Sequence, residues 1–181
     1  MKKIFMLFCV VALVLVALPT YAANKVVVIP LNTSKSGPGN WKSVSVSSLG
    51  GIPRTSSVTT AQGLICDSVG RYATAGGSEF LTVPVQLPDG ATITAFTAVI
   101  CDNTATYGDS VYLYRSDGTS IADTSTSAAE ASTTPFTKTT TSISPGAEVV
   151  DNSQYSYYLY MEINGDAGNN LTPISGIITL Q

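Results

Sequence analysis

The chain has 181 residues, 44% of them hydrophobic and 12% charged, with nine Lys and Arg against twelve Asp and Glu and a formal net charge of −3. That balance argues against nucleic acid or an anionic membrane as a partner. Histidine is absent, which removes Ser-His-Asp and Cys-His catalysis and most zinc and copper sites.

Lys2 and Lys3 precede an unbroken apolar run from Ile4 to Leu18, and Thr20-Tyr21-Ala22 ends it on a small residue. This is the layout of a secretory signal peptide over residues 1–22 with cleavage after Ala22. The run of fifteen residues falls short of the roughly 20 that span a bilayer. Cys9 lies inside the run rather than at the cleavage point, so it does not read as a lipidation site. The expected product is bacterial and exported, either secreted, periplasmic or at the cell surface, with no membrane insertion once the leader is removed.

Residues 23–31 hold the β-prone run Lys25 to Pro30 (K-V-V-V-I-P). An apolar strand at the chain start must pair somewhere. It joins its own sheet as a first strand, or it joins a neighbour's sheet and builds an assembly. Residues 32–61 are rich in Ser, Gly and Thr and read as a linker. Within it Val44 and Val46 alternate with serines as one short strand, and Trp41 stands alone as a plug pinning the segment to the body or as a ligand contact.

Residues 62–181 form the expected domain. Phe80 to Leu87 reads as a strand, followed by the turn Pro88-Asp89-Gly90. Thr92 to Cys101 is apolar on both faces and reads as a central strand. Ser110 to Ser116 ends at Asp117-Gly118, a tight-turn signal, with Ile121 to Ser127 as its hairpin partner. Ser127 to Ser132 is a short helix-prone patch. Phe136 to Ile143 is a Thr-rich strand closed by Pro145-Gly146. Tyr155 to Ile163 alternates Tyr157, Leu159, Met161 and Ile163 on one face with Tyr158, Tyr160 and Glu162 on the other. Pro173 to Leu180 is the last strand. About eight strands separated by turn signals predict an all-β, antiparallel two-sheet sandwich of jelly-roll type.

Cys66 and Cys101 are the two cysteines beyond the leader. In an oxidising compartment they read as a disulfide worth roughly 3–4 kcal/mol by chain entropy. Two separate buried thiols are the other reading.

The chemistry that survives the absence of histidine is carboxylate chemistry. Glu79, Glu130, Glu148 and Glu162 are present, but nothing in the sequence pairs them as a glycosidase requires, and no enzyme and no cofactor are expected. Asp102-Asn103 with Asp109, and Asn164-Gly165-Asp166 with Asn169-Asn170, are oxygen-rich loops of the kind Ca²⁺ takes. Tight turns demand the same residue types. Tyr112 and Tyr114 share one strand face, and Tyr158 and Tyr160 share another. If those strands are neighbours, four phenols line one surface suited to a glycan or a protein interface. Ordinary cross-strand tyrosine pairing is the plainer account.

Four segments carry a resemblance: V-P-V-Q-L-P-D-G-A-T-I-T at Val83 to Thr94, C-D-N-T-A at Cys101 to Ala105, V-Y-L-Y-R at Val111 to Arg115, and D-N-S-Q-Y-S-Y-Y-L at Asp151 to Leu159. Across Ala61 to Leu180 the chain resembles a family of secreted bacterial β-sandwich proteins to which no activity is attached. The resemblance implies export and the sandwich fold, and brings no catalytic residues. The function expected from the sequence is a non-catalytic structural or assembly role at the cell surface or in the periplasm, with self-association. The alternative is a carbohydrate-binding module presenting its tyrosine face to a surface glycan.

Overall fold

The computed structural model describes residues 42–66, 68–75, 77–128, 130, 132–164 and 170–181. The signal peptide, the N-terminal strand arm and Trp41 lie outside these residues, as do 165–169 of the second oxygen-rich loop.

Eleven strands occur among the described residues: β1 (Ser43–Ser47), β2 (Ile52–Pro53), β3 (Thr59–Ile65), β4 (Ser68–Ala75), β5 (Ser78–Val85), β6 (Ile93–Asp102), β7 (Ser110–Arg115), β8 (Ser120–Ser125), β9 (Phe136–Thr140), β10 (Tyr157–Asn164) and β11 (Leu171–Leu180). They form a four-stranded sheet in the order β1-β11-β6-β9, a five-stranded sheet in the order β2-β5-β10-β7-β8, and the separate hairpin β3-β4. Every pairing is antiparallel. The protein is an all-β sandwich of jelly-roll type.

Alternation explains the two large sheets. In β10, Tyr157, Leu159, Met161 and Ile163 are buried and the intervening side chains are half-buried or, at Asn164, buried. The β5 side chains Glu79, Leu81, Val83 and Val85 follow the same rhythm. Phe96, Ala98 and Ile100 of β6 and Ile178 of β11 meet them from the other sheet. Each fully buried Val, Leu, Ile, Phe or Met among them contributes roughly 1.5–3 kcal/mol. Packing against β11 is tight at Gly176. A Cβ there would lie 2.6 Å from Leu159 Cδ1 and 3.2 Å from Phe96 Cε2, so only glycine fits without moving packed side chains.

The three expected turns are present, with left-handed glycines at Gly90 (φ 74°), Gly118 (φ 88°) and Gly146 (φ 81°). β6 is central, paired with β11 on one side and β9 on the other. The short strand expected around Val44 and Val46 is β1, paired with β11 from Ser43 opposite Thr179 to Ser47 opposite Ser175. The second half of the Ser/Gly/Thr-rich stretch thus lies within the sandwich, which begins earlier than residue 62. A single turn of 3₁₀ helix lies at Ser48–Gly50, and the described part of Ser127 to Ser132 is irregular.

The β3-β4 hairpin packs on β11 and is tied to the sandwich at its turn. Cys66 sits there with φ 46° and is joined by a disulfide to Cys101 of β6, with Cα atoms 5.9 Å apart. Arg71 of β4 adds a bond from Nη1 to the Gly51 carbonyl (2.7 Å), while its Nε donates within the hairpin to Thr60 Oγ1 (3.0 Å).

Candidate functional site

The five-stranded sheet turns one face to the core and the other to solvent. On the outer face, β10 runs between β5 and β7. Its register places Tyr158 opposite Tyr114 and Tyr160 opposite Tyr112. The four tyrosines named from the sequence therefore lie on two adjacent strands and meet. Tyr114 and Tyr158 stack with centroids 5.7 Å apart and planes at 13°. Tyr160 meets Tyr114 edge-on at 5.8 Å and 84°.

A fifth ring comes from β5. Phe80 stacks on Tyr160 with centroids 4.4 Å apart and planes 3° from parallel, and lies 6.3 Å from Tyr112. All five rings are half-buried. The exposed Ile52 of β2 extends the row, opposite Thr82. The result is a band of touching aromatic rings across β5, β10 and β7, with Ile52 of β2 on the same face.

Polar groups frame the band. Glu79 is buried and faces inward at the start of β5. Its carboxylate pairs with Arg54 Nε at 2.9 Å, and accepts from Thr55 Oγ1 (2.5 Å) and from the Phe80 backbone N–H (2.8 Å). Burial pushes the Glu79 pKa up, but the Thr55 hydroxyl, the Phe80 N–H and Arg54 outweigh it and hold the carboxyl below its usual range. Held in this way, Arg54 lies over the Phe80 ring at 5.4 Å and donates to Tyr160 Oη at 3.1 Å. Among the described residues, Tyr160 is the one phenol of the four with a hydrogen-bonded protein partner. Burial first, then Tyr114, Tyr160 and Asp117, raises the Tyr158 phenol above its ordinary value. It remains a protonated donor at neutral pH.

A cleft of about 300 Å³ opens at one end of the same sheet, lined by Gln86, Leu87, Asn152, Tyr155 and Tyr157 among others. Arg115 covers one face of the Tyr155 ring at 4.0 Å and is itself paired with Asp117 at 2.8 Å. Hydrogen bonds hold the loop at its rim, with Asn152 Nδ2 donating to the Leu87 carbonyl and the Asn152 N–H donating to Asp89 Oδ1, both at 2.8 Å.

The four glutamates are held in separate local contacts. Glu79 pairs with Arg54, Glu130 with Lys138, Glu162 accepts from Ser78, and Glu148 accepts from the Gly146 N–H. No cluster of three or more His, Cys, Asp or Glu side chains suited to a metal ion occurs among the described residues. Phe80 and Arg54 are the members of the surface that sequence reasoning missed. In-strand spacing shows that Tyr158 and Tyr160 share a face, but not which strand lies on the other side of β10.

No protein-family model and no curated protein sequence matches this chain. Solved structures do match in fold. The C-terminal CBM6 of LamC, a marine laminarinase from Zobellia galactanivorans, superposes with a TM-score of 0.50 at 11% identity, covering 76% of this chain and 98% of that one. The CBM36-1 domain of a multidomain xylanase from the hindgut metagenome of Trinervitermes trinervoides gives 0.46 at 12% identity, over 75% of this chain and 95% of that one. A carbohydrate-binding module CBM36 solved in complex with calcium and xylotriose gives 0.45 at 10% identity, over 76% and 99%. At these identities the likeness is one of fold.

Proposed function

We propose that this protein is an exported, non-catalytic carbohydrate-binding module that takes a glycan on the outer face of its five-stranded sheet. The observation that carries the reading is the band of five aromatic rings, Phe80, Tyr112, Tyr114, Tyr158 and Tyr160, on three adjacent strands. A sugar ring offers an apolar C–H face and a rim of hydroxyls. Aromatic faces suit the first, and phenol O–H groups with the Arg54 guanidinium suit the second. Four tyrosines lose little side-chain entropy on binding, because the rings already brace one another.

The likeness in fold to the CBM6 of LamC supports the same reading. Export is supported by the leader-like first 22 residues. The N-terminal arm, on which an assembly role by strand exchange would depend, lies outside the described residues.

A panel of soluble polysaccharides (xylan, mannan, laminarin and cellulose-type β-glucan) screened by affinity electrophoresis, then by calorimetry, tests the proposal. At least one should retard the native protein, and Tyr158→Ala and Tyr160→Ala should abolish the retardation while leaving the circular dichroism spectrum unchanged. A protein that migrates freely through every polysaccharide, or binding that survives both substitutions, would refute it.

A further inference from the structure

The outer face of the five-stranded sheet changes in charge from one edge to the other. Towards the β2-β5 edge sits Arg54, whose charge is matched by the buried Glu79 at 2.9 Å. Towards the β7-β8 edge the charges are acidic. Asp123 of β8 is exposed and lies opposite Tyr112 in the register, so both side chains point outward with Cβ atoms about 4.5–5.5 Å apart. Glu162 of β10 lies opposite Phe80, two residues beyond Tyr160 on the same face. Tyr160 is in turn opposite Tyr112. Tyr112 therefore has one carboxylate directly across from it on β8 and a second diagonally across on β10.

Neither carboxylate is paired with a cation among the described residues. Asp123 makes no hydrogen bond or ion pair there, and Glu162 accepts from Ser78 Oγ at Oε1 (2.9 Å). Arg115 and Lys138 are engaged by Asp117 and Glu130. An exposed carboxylate is ordinary in water, and these two are set apart by the ring between them. Tyr160 gives a face to Phe80, and Tyr114 and Tyr158 stack on each other. Tyr112 belongs to neither stack. It meets Phe80 at 57° and Tyr114 at 40°, so no parallel ring covers its faces. A cation is drawn to such a face by the ring quadrupole. An ammonium group there would also have donors for both carboxylates, whereas a hydroxyl or an acetamide carries no charge for either to meet.

We propose that the glycan taken by this face carries positively charged amino sugars, and that Asp123 and Glu162 select it by holding an ammonium group beside Tyr112. This rests on the glycan reading of the same face and narrows it to a cationic ligand class. The selection acts at contact, through charge-assisted hydrogen bonds and the Tyr112 ring, while the remaining rings take the apolar faces of the sugars.

Three β-1,4-linked hexamers that differ only at C2 test it: glucosamine, N-acetylglucosamine and glucose. Each is titrated into the full chain by calorimetry in mildly acidic buffer, where the amine is protonated. The glucosamine hexamer should bind about five-fold or more tighter than either of the others. Asp123→Asn changes an exposed side chain and should reduce that advantage to about two-fold or less, with Tm and affinity for the glucose hexamer unchanged. Adding Glu162→Gln should abolish it. Equal affinity for the three hexamers, preference for an uncharged one, or a full preference in the double variant would overturn the selection and leave the glycan-binding face standing. A lysine hexapeptide bound as tightly as the glucosamine hexamer would overturn it too, because charge without sugar would then suffice. If none of the hexamers binds, the selection is refuted, and the polysaccharide panel decides separately whether the face takes a glycan.

Discussion

Phe80 and Tyr160 each give one ring face to the other, 3° from parallel. That contact fixes the Tyr160 ring from one side, and Arg54 fixes its hydroxyl from the other. Phe80→Ala removes the first restraint and leaves all four tyrosines in place. An aromatic pair contributes roughly 0.5–1.5 kcal/mol beyond its area, so affinity for the bound polysaccharide should fall by about two- to ten-fold, measured by calorimetry, with the fold intact. Glu79 acts one step further back, as a positioning residue for Arg54. Its folded pKa is depressed, so the stability it contributes is complete above the unfolded value near about 4.3 and is lost as pH falls through the lower folded value. Glu79→Gln should flatten that acid limb of the Tm-against-pH curve. At neutral pH it should cost about 1–2 kcal/mol, modest because Arg54 is half in solvent. An unchanged acid limb would show that Glu79 is not the titrating group. Of these residues the tyrosines were legible in the sequence through their i, i+2 spacing. Phe80 was placed in a strand but not on this surface, and Arg54 lies in a loop whose partner is over a hundred positions away.

Strands β5 to β11 fall close to where alternation and turn residues put them, and in β5, β7 and β10 buried side chains alternate with half-buried or exposed ones. The hairpin β3-β4 was invisible for the opposite reason. Gly63, Gly70 and runs of Thr and Ala give it no hydrophobic rhythm, and Leu64 and Val69, its large cross-strand apolar pair, are 74% and 47% exposed. Such a hairpin is marginal by itself; its attachment comes from β11, Arg71 and the Cys66–Cys101 bond. Replacing both cysteines by serine should lower stability by about 2–4 kcal/mol in chemical denaturation. The loss should be uneven. Hydrogen exchange should accelerate first in residues 59–75, while the amides of β10 stay protected, and glycan affinity should hold, because the aromatic rings belong to the other sheet. Uniform acceleration through β10 would mean that the hairpin is integral to the core rather than stapled to it.

At the scale of the molecule, side-chain patterning indicated a sandwich but left the strand order open, and the strand order makes the site. Only when β10 lies between β5 and β7 do rings from three separate stretches of chain form one surface. The same order leaves the outer face of β6 and β9 to threonines such as Thr97 and Thr139, whose hydroxyls bond each other at 2.8 Å. The charge of the whole chain is −3, and the band carries one cation, Arg54, beside Glu162 and Asp123 on the same outer face. A surface of that kind attracts a ligand by contact rather than by long-range field. Raising NaCl from about 50 mM to about 500 mM shortens the screening length from roughly 14 Å to roughly 4 Å, which weakens ionic association steeply and leaves stacking almost untouched. Affinity for a neutral polysaccharide should therefore change by less than about two-fold over that range. An acidic polysaccharide should bind poorly at low salt and gain on its addition, since like charges are then screened. A steep loss of binding with salt would mean that Arg54, and not the rings around it, is the principal attachment.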